Sequence, residues 1–110
     1  MSAIKRHKIL YNASAAGTGD WVRLDNRFEI PEDRVVQCDM TAGDHLFLEA
    51  TSMDVRGSIS DSYLALLDPT DITILSDITA TGNYEIDGPW SWVRVRKTGT
   101  NGVGKVQGFI

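Results

Sequence analysis

The sequence predicts an all-β fold, an antiparallel β-sandwich of jelly-roll type built from about seven or eight short strands. Three observations lead there. Apolar side chains recur every second residue in several separate segments, clusters of Gly, Asn, Asp and Pro divide those segments, and no stretch of normal helical length carries an apolar stripe at helical spacing. The chain has 110 residues, which suits one domain with one hydrophobic core, so residues 1–110 are expected to form a single unit.

The elements follow in chain order. Ile4 to Tyr11 is β-compatible but strongly charged in its first half, which predicts an edge strand or, over residues 1–10, an extended N-terminal arm. Asn12 to Gly19 is a small-residue stretch expected to form a loop, and Trp21 to Leu24 a short strand. From Arg34 to Met40, Val36, Cys38 and Met40 share one face and Val35, Gln37 and Asp39 the other. The turn Thr41-Ala42-Gly43-Asp44 leads into His45 to Thr51, where Leu46, Leu48 and Ala50 alternate with His45, Phe47 and Glu49; a hairpin is expected. Ile59 to Leu67 fits either a buried strand or one helical turn and ends at Asp68-Pro69. Ile72, Ile74 and Ile78 lie among threonines, and Gly82-Asn83 and Asp87-Gly88-Pro89 flank Tyr84-Glu85-Ile86, predicting two further strands. Trp90 to Lys97 is the clearest strand, with Val93 and Val95 on one face and Trp92, Arg94 and Arg96 on the other. The glycine-rich stretch Thr98 to Gly102 and the segment Val103 to Ile110 complete an expected terminal hairpin.

Composition excludes several function classes. No apolar run reaches the roughly 20 residues of a membrane helix, and the basic start carries no signal-type apolar segment, so neither membrane insertion nor export is expected. A net charge of −4 argues against nucleic acid as the main partner, because phosphate binding requires a basic surface. Charge is unevenly spread: ten acidic residues and one basic residue, Arg56, lie between Asp39 and Asp87, and the rest of the chain has ten basic and five acidic. That asymmetry suits either solvated loops or an acidic face on one copy meeting a basic edge on another.

No residue set points to catalysis. Cys38 shares a strand face with Val36 and Met40, the placement of a buried thiol, while His7 and His45 are isolated and spaced unlike zinc ligands. Asp68 and Asp71 flank a proline turn without the dense Asp/Asn/Gly pattern of a calcium loop, and Gly17-Thr18-Gly19 lacks the lysine of a phosphate loop. No enzyme activity, cofactor or metal is expected. Trp90 and Trp92, two residues apart, would present both indoles on one strand face, to fill the core, to meet another subunit or to stack on a sugar. The pieces expected to reach across a protein interface are the basic arm with Ile4, Lys5, Arg6, Lys8, Ile9 and Leu10, together with Trp92, Phe109 and Ile110.

Gly17 to Leu24, Phe47 to Thr51, and Pro89 to Val95 before a Gly/Thr-rich connection together resemble the small β-sandwich proteins of tailed-bacteriophage particles, particularly head decoration or cement proteins. The resemblance implies a structural virion protein, made in the host cytoplasm, that sits on the capsid surface as a homotrimer or similar oligomer. Its partners would then be the major capsid protein and further copies of itself. A head-tail adaptor or tail accessory is the alternative within that class, and a carbohydrate- or receptor-binding sandwich module the alternative outside it.

Overall fold

In a computed structural model of the chain, residues 7–24, 34–51, 72–88 and 90–110 are described. They contain no helix and form nine strands: β1 (His7–Ala13), β2 (Gly17–Thr18), β3 (Val22–Arg23), β4 (Arg34–Asp39), β5 (His45–Thr51), β6 (Thr73–Ile78), β7 (Gly82–Ile86), β8 (Trp92–Thr98) and β9 (Gly104–Phe109). One antiparallel sheet runs β1-β9-β4-β7 and the other β2-β8-β5-β6. The strand β3 also pairs with β8, at Val22↔Val93 and Arg23↔Trp92, while β2 pairs further along at Gly17↔Lys97 and Thr18↔Arg96. Both short strands therefore occupy one edge position, and the nine strands fill eight places. The chain passes between sheets at β1–β2, β3–β4, β4–β5, β6–β7, β7–β8 and β8–β9, which is the eight-place jelly roll the sequence led us to expect.

Alternation decides what goes inside. Val36 and Cys38 of β4, Leu46, Leu48 and Ala50 of β5, Val93 and Val95 of β8 and Val106 of β9 are completely buried. Leu10, Tyr11, Leu24, Ile78, Ile86 and Ile110 close the same core. A register shift between Ile9 and Tyr11 in β1 lets two consecutive residues, Leu10 and Tyr11, both face inward. Tyr11 keeps its hydroxyl satisfied by donating to the Ala15 carbonyl at 3.0 Å. At about 25 cal/mol per Å² of apolar surface, each of the larger buried side chains contributes on the order of 2 kcal/mol, which is what holds the two sheets together.

Two expected hairpins are absent. β4 and β5 belong to different sheets, as do β8 and β9, so the turn at Thr41–Asp44 and the glycine-rich stretch Thr98–Gly102 arch from one layer to the other. The alternation on either side of each connection is as expected; it states which faces are apolar but not whether the next strand pairs or crosses over. The expected loop Asn12 to Gly19 is also partly strand, since Asn12 and Ala13 end β1 and Gly17–Thr18 forms β2. The clearest expected strand starts later than its sequence suggests, at Trp92 and not Trp90. The ambiguous segment Ile59 to Leu67 and the Asp68-Pro69 turn lie outside the described residues.

β1 is an integral edge strand, paired with β9 from His7↔Phe109 to Ala13↔Gly104. Only residues 1–6 of the expected arm lie outside the described residues. Removing residues 2–10 takes away Leu10 and half of a strand, and is expected to lower unfolding free energy by at least about 3 kcal/mol in urea titrations.

Candidate functional site

The expected interface residues separate into three places. Leu10 and Ile110 are 4% and 1% exposed and belong to the core, so neither is available to a partner without opening the sandwich. This corrects their assignment to an interface: the β1 bulge turns Leu10 inward, and Ile110 just beyond β9 closes the layer. Ile9 and Phe109, by contrast, are 53% and 63% exposed and lie on the outer face of the β1-β9-β4-β7 sheet. Trp92 is half-buried on the outer face of the other sheet, and Lys8 donates its Nζ to the Arg23 carbonyl at 2.7 Å. Ile4, Lys5 and Arg6 lie outside the described residues.

The outer face of the first sheet is apolar in the middle and rich in amides. Val35, 43% exposed, joins Ile9 and Phe109. Gln107 stands opposite both Ile9 and Gln37, and Gln37 opposite Asn83, so amide side chains cross three strands in one row. His7 packs edge-on against the Phe109 ring at 5.4 Å and shares a 3.1 Å hydrogen bond with Gln107. A shallow groove of about 530 Å³ runs between His7, Val35, Gln37, Asn83 and Phe109, floored by Gly108. Gly108 is required there, because a Cβ would come within 2.6 Å of the Val35 carbonyl oxygen. Amides both donate and accept, and a groove of this kind suits contact with another protein surface better than bond-making chemistry.

The outer face of the second sheet alternates guanidinium groups with rings. Arg94 lies over Trp21 at 4.5 Å and Arg96 over Phe47 at 4.3 Å, while Arg23 stands 5.9 Å from the Trp92 ring. Glu49, only 5% exposed, accepts from Arg94 Nε at 2.9 Å and Arg96 Nε at 3.3 Å. His45 stacks beside Phe47 and pairs with Asp77 at 2.9 Å. Trp90 is placed differently: its ring leans on the core from the loop before β8, and its Nε1 donates to the Asp87 carbonyl. The two tryptophans therefore do not form one platform, since the regular strand that would align them begins only at Trp92.

The most consequential polar group is one the sequence analysis passed over. Lys97 shares the inward parity of Val93 and Val95, and Asp44 that of Leu46 and Leu48; both side chains are at most 1% exposed and meet at 3.1 Å. The ammonium also donates to the Ser14 carbonyl at 2.9 Å and the Gly99 carbonyl at 2.6 Å, which uses all three of its protons. The carboxylate accepts from the backbone of Asn101 at 3.1 Å and Gly102 at 3.2 Å. Gly99 sits at φ +90°, and a Cβ there would run into Asp44 Oδ1. A charged residue on valine parity, with an acid on leucine parity elsewhere, is the signal that would have found this pair.

Burial alone would raise the pKa of Asp44, but the hydrogen bonds from Asn101, Lys97 and Gly102 and the Lys97 charge outweigh it, and the net shift is downward. Burial, aided by the Asp39 charge, pushes the Cys38 thiol up to about 12, as expected for a thiol acting as a small hydrophobe. Two acids of the acid-rich stretch, Asp44 and Glu49, are thus spent on internal partners. Among the described residues, no three His, Cys, Asp or Glu side chains gather in a metal-binding arrangement, and no helix is long and apolar enough to cross a membrane. The expected Asp68–Asp71 turn lies outside the described residues.

No known family model, no curated protein and no solved structure matches the chain.

Because the folded pKa of Asp44 lies below its unfolded value of about 3.9, its stabilisation is complete above that pH and is lost as pH falls through the folded pKa. The urea midpoint is expected to drop below about pH 4, and to drop less steeply in Asp44→Asn. Lys97→Met leaves an ionised carboxylate buried, so it is expected to destabilise more than the double variant Lys97→Met/Asp44→Asn. Cys38 is expected to resist Ellman's reagent at pH 8 until denaturant is added, whereas labelling of the native chain within minutes would place the thiol at the surface.

Proposed function

We propose that this chain is a non-enzymatic structural protein that works by packing against other protein subunits, as a capsid decoration or cement protein of a tailed-phage particle. The observation that carries the reading is the outer face of the β1-β9-β4-β7 sheet, where Ile9, Val35 and Phe109 are exposed together beside a row of amides. Isolated exposed apolar residues are ordinary on any surface; three on one sheet face, bordered by groups that donate and accept, suit a protein contact. A rigid eight-place sandwich is the kind of body that a cementing role requires. The resemblance of Gly17–Leu24, Phe47–Thr51 and Pro89–Val95 to phage head proteins gives the reading its setting, with the major capsid protein as partner and a homo-oligomer as the working unit.

In this reading, many weak contacts add up because the shell repeats its binding site, so a modest face per copy is enough. The glycan alternative loses its main support, since Trp90 and Trp92 do not share a face and the rings of the second sheet lie against guanidinium groups.

Quantitative mass spectrometry on purified particles of the encoding virus tests the proposal. A decoration protein is expected at a copy number comparable with that of the major capsid protein; a handful per particle would reassign it to an adaptor or tail accessory, and absence would overturn the virion reading. Ile9→Asp and Phe109→Ser are expected to reduce co-sedimentation with shells by about tenfold each, while leaving the melting temperature nearly unchanged.

A further inference from the structure

The outer face of the β2-β8-β5-β6 sheet is an unusual surface for a chain whose net charge is −4. Among the described residues, three guanidinium groups stand there against the carboxylates of Glu49 and Asp77, leaving a local excess of one positive charge. Arg94 and Arg96 each spend Nε on Glu49, and no acceptor among the described residues takes their terminal Nη groups. Arg23 has a ring beside it and likewise no acceptor among the described residues. Trp21 is 6% exposed, and its Nε1 is buried without a hydrogen-bond partner. Trp21 lies directly under Arg94 and supports that guanidinium from below, with its own Nε1 away from the surface, so the donors on offer are those of the arginines. The face therefore offers several donors in need of acceptors, already held in place by stacking and by Glu49.

We infer that this ladder of Arg23, Arg94 and Arg96 on aromatic supports is a docking site for an acidic, extended polypeptide segment of a partner protein. Two features favour carboxylates on a polypeptide. Arg94 and Arg96 are two residues apart on β8, a separation of about 7 Å, which equals the repeat between alternate side chains of another extended strand. The half-exposed rings of Trp92 and Phe47 and the 52% exposed Ile74 on β6 give apolar side chains of such a segment somewhere to rest. Fixing the guanidinium groups before binding removes part of the entropic cost of forming each new ion pair. The inference specifies the chemistry of a partner and does not require that partner to be a capsid.

Fluorescence anisotropy with a fluorescein-labelled hexaglutamate peptide tests it, with hexalysine and an oligothymidylate of equal charge as comparison probes. The full-length chain is expected to bind hexaglutamate, to lose affinity steeply with added salt, and to ignore hexalysine. Arg23→Gln and Arg96→Gln are each expected to weaken binding about fivefold or more. Neither removes the 2.9 Å bond from Arg94 to Glu49, and unchanged melting temperatures would confirm that the fold is intact. No binding of hexaglutamate up to about 1 mM, or affinity unchanged in both variants, would overturn the inference. Tighter binding of the oligothymidylate would overturn it in favour of a phosphate ligand. A chain that binds hexaglutamate through these arginines yet is missing from particles would sink the virion reading and leave this site standing; a particle-borne chain indifferent to the peptide would do the reverse.

Discussion

The buried contact between Lys97 and Asp44 is the constraint on which the layering of this protein turns. In the described residues, which form strands and no helix, the chain crosses between sheets repeatedly, and each crossing exposes backbone groups that a strand ladder would have satisfied. Lys97 and Asp44 take up four such groups, the carbonyls of Ser14 and Gly99 and the amides of Asn101 and Gly102. One ion pair thus ties the β1–β2 loop, the end of the β4–β5 arch and the β8–β9 arch at a single end of the molecule. Burying two charges is costly in itself, and the pair is sustainable because every proton of the ammonium has an acceptor. Its contribution is to specify which strands cross over, where apolar burial supplies the bulk of the stabilisation.

With that end fixed, the two sheets are free to differ on their outer faces, and they do. One is apolar and amide-rich, and the other is a lattice of arginine and aromatic residues organised around a single carboxylate. Neither resembles a catalytic cleft, and both are broad, shallow surfaces formed from rigid strands. The proposed function draws on this division: a slab with two chemically distinct sides would lie between other subunits, contacting one through apolar and neutral polar groups and another through charge.

The layers were legible in the sequence because alternation is a local property. Val36 and Cys38, Leu46, Leu48 and Ala50, and Val93 and Val95 stand on the inward faces that their spacing assigns to them. The connections were not legible. A turn such as Thr41–Asp44 can close a hairpin or bridge two sheets, and only contacts made across 53 residues, from Asp44 to Lys97, decide the matter. The β1 bulge is invisible for a similar reason, since Leu10 and Tyr11 adjoin in sequence and only the pairing with β9 turns both inward. Of the residues expected at an interface, Ile9 and Phe109 kept an exposed position, while Ile110 did not, because an apolar residue at a chain end can cover a core as readily as a partner. Lys97 was overlooked because a lysine ending a strand is ordinarily wetted; its parity was the available clue.

The proposal that this chain is a virion protein is tested most directly by electron cryomicroscopy of phage particles assembled in its presence, at a resolution that orients a domain of this size. The account predicts a two-layered density on the shell with Ile9, Val35 and Phe109 turned toward a neighbouring subunit. Particles whose every density is accounted for without this chain, or a bound copy with that face wholly open to solvent, would contradict it.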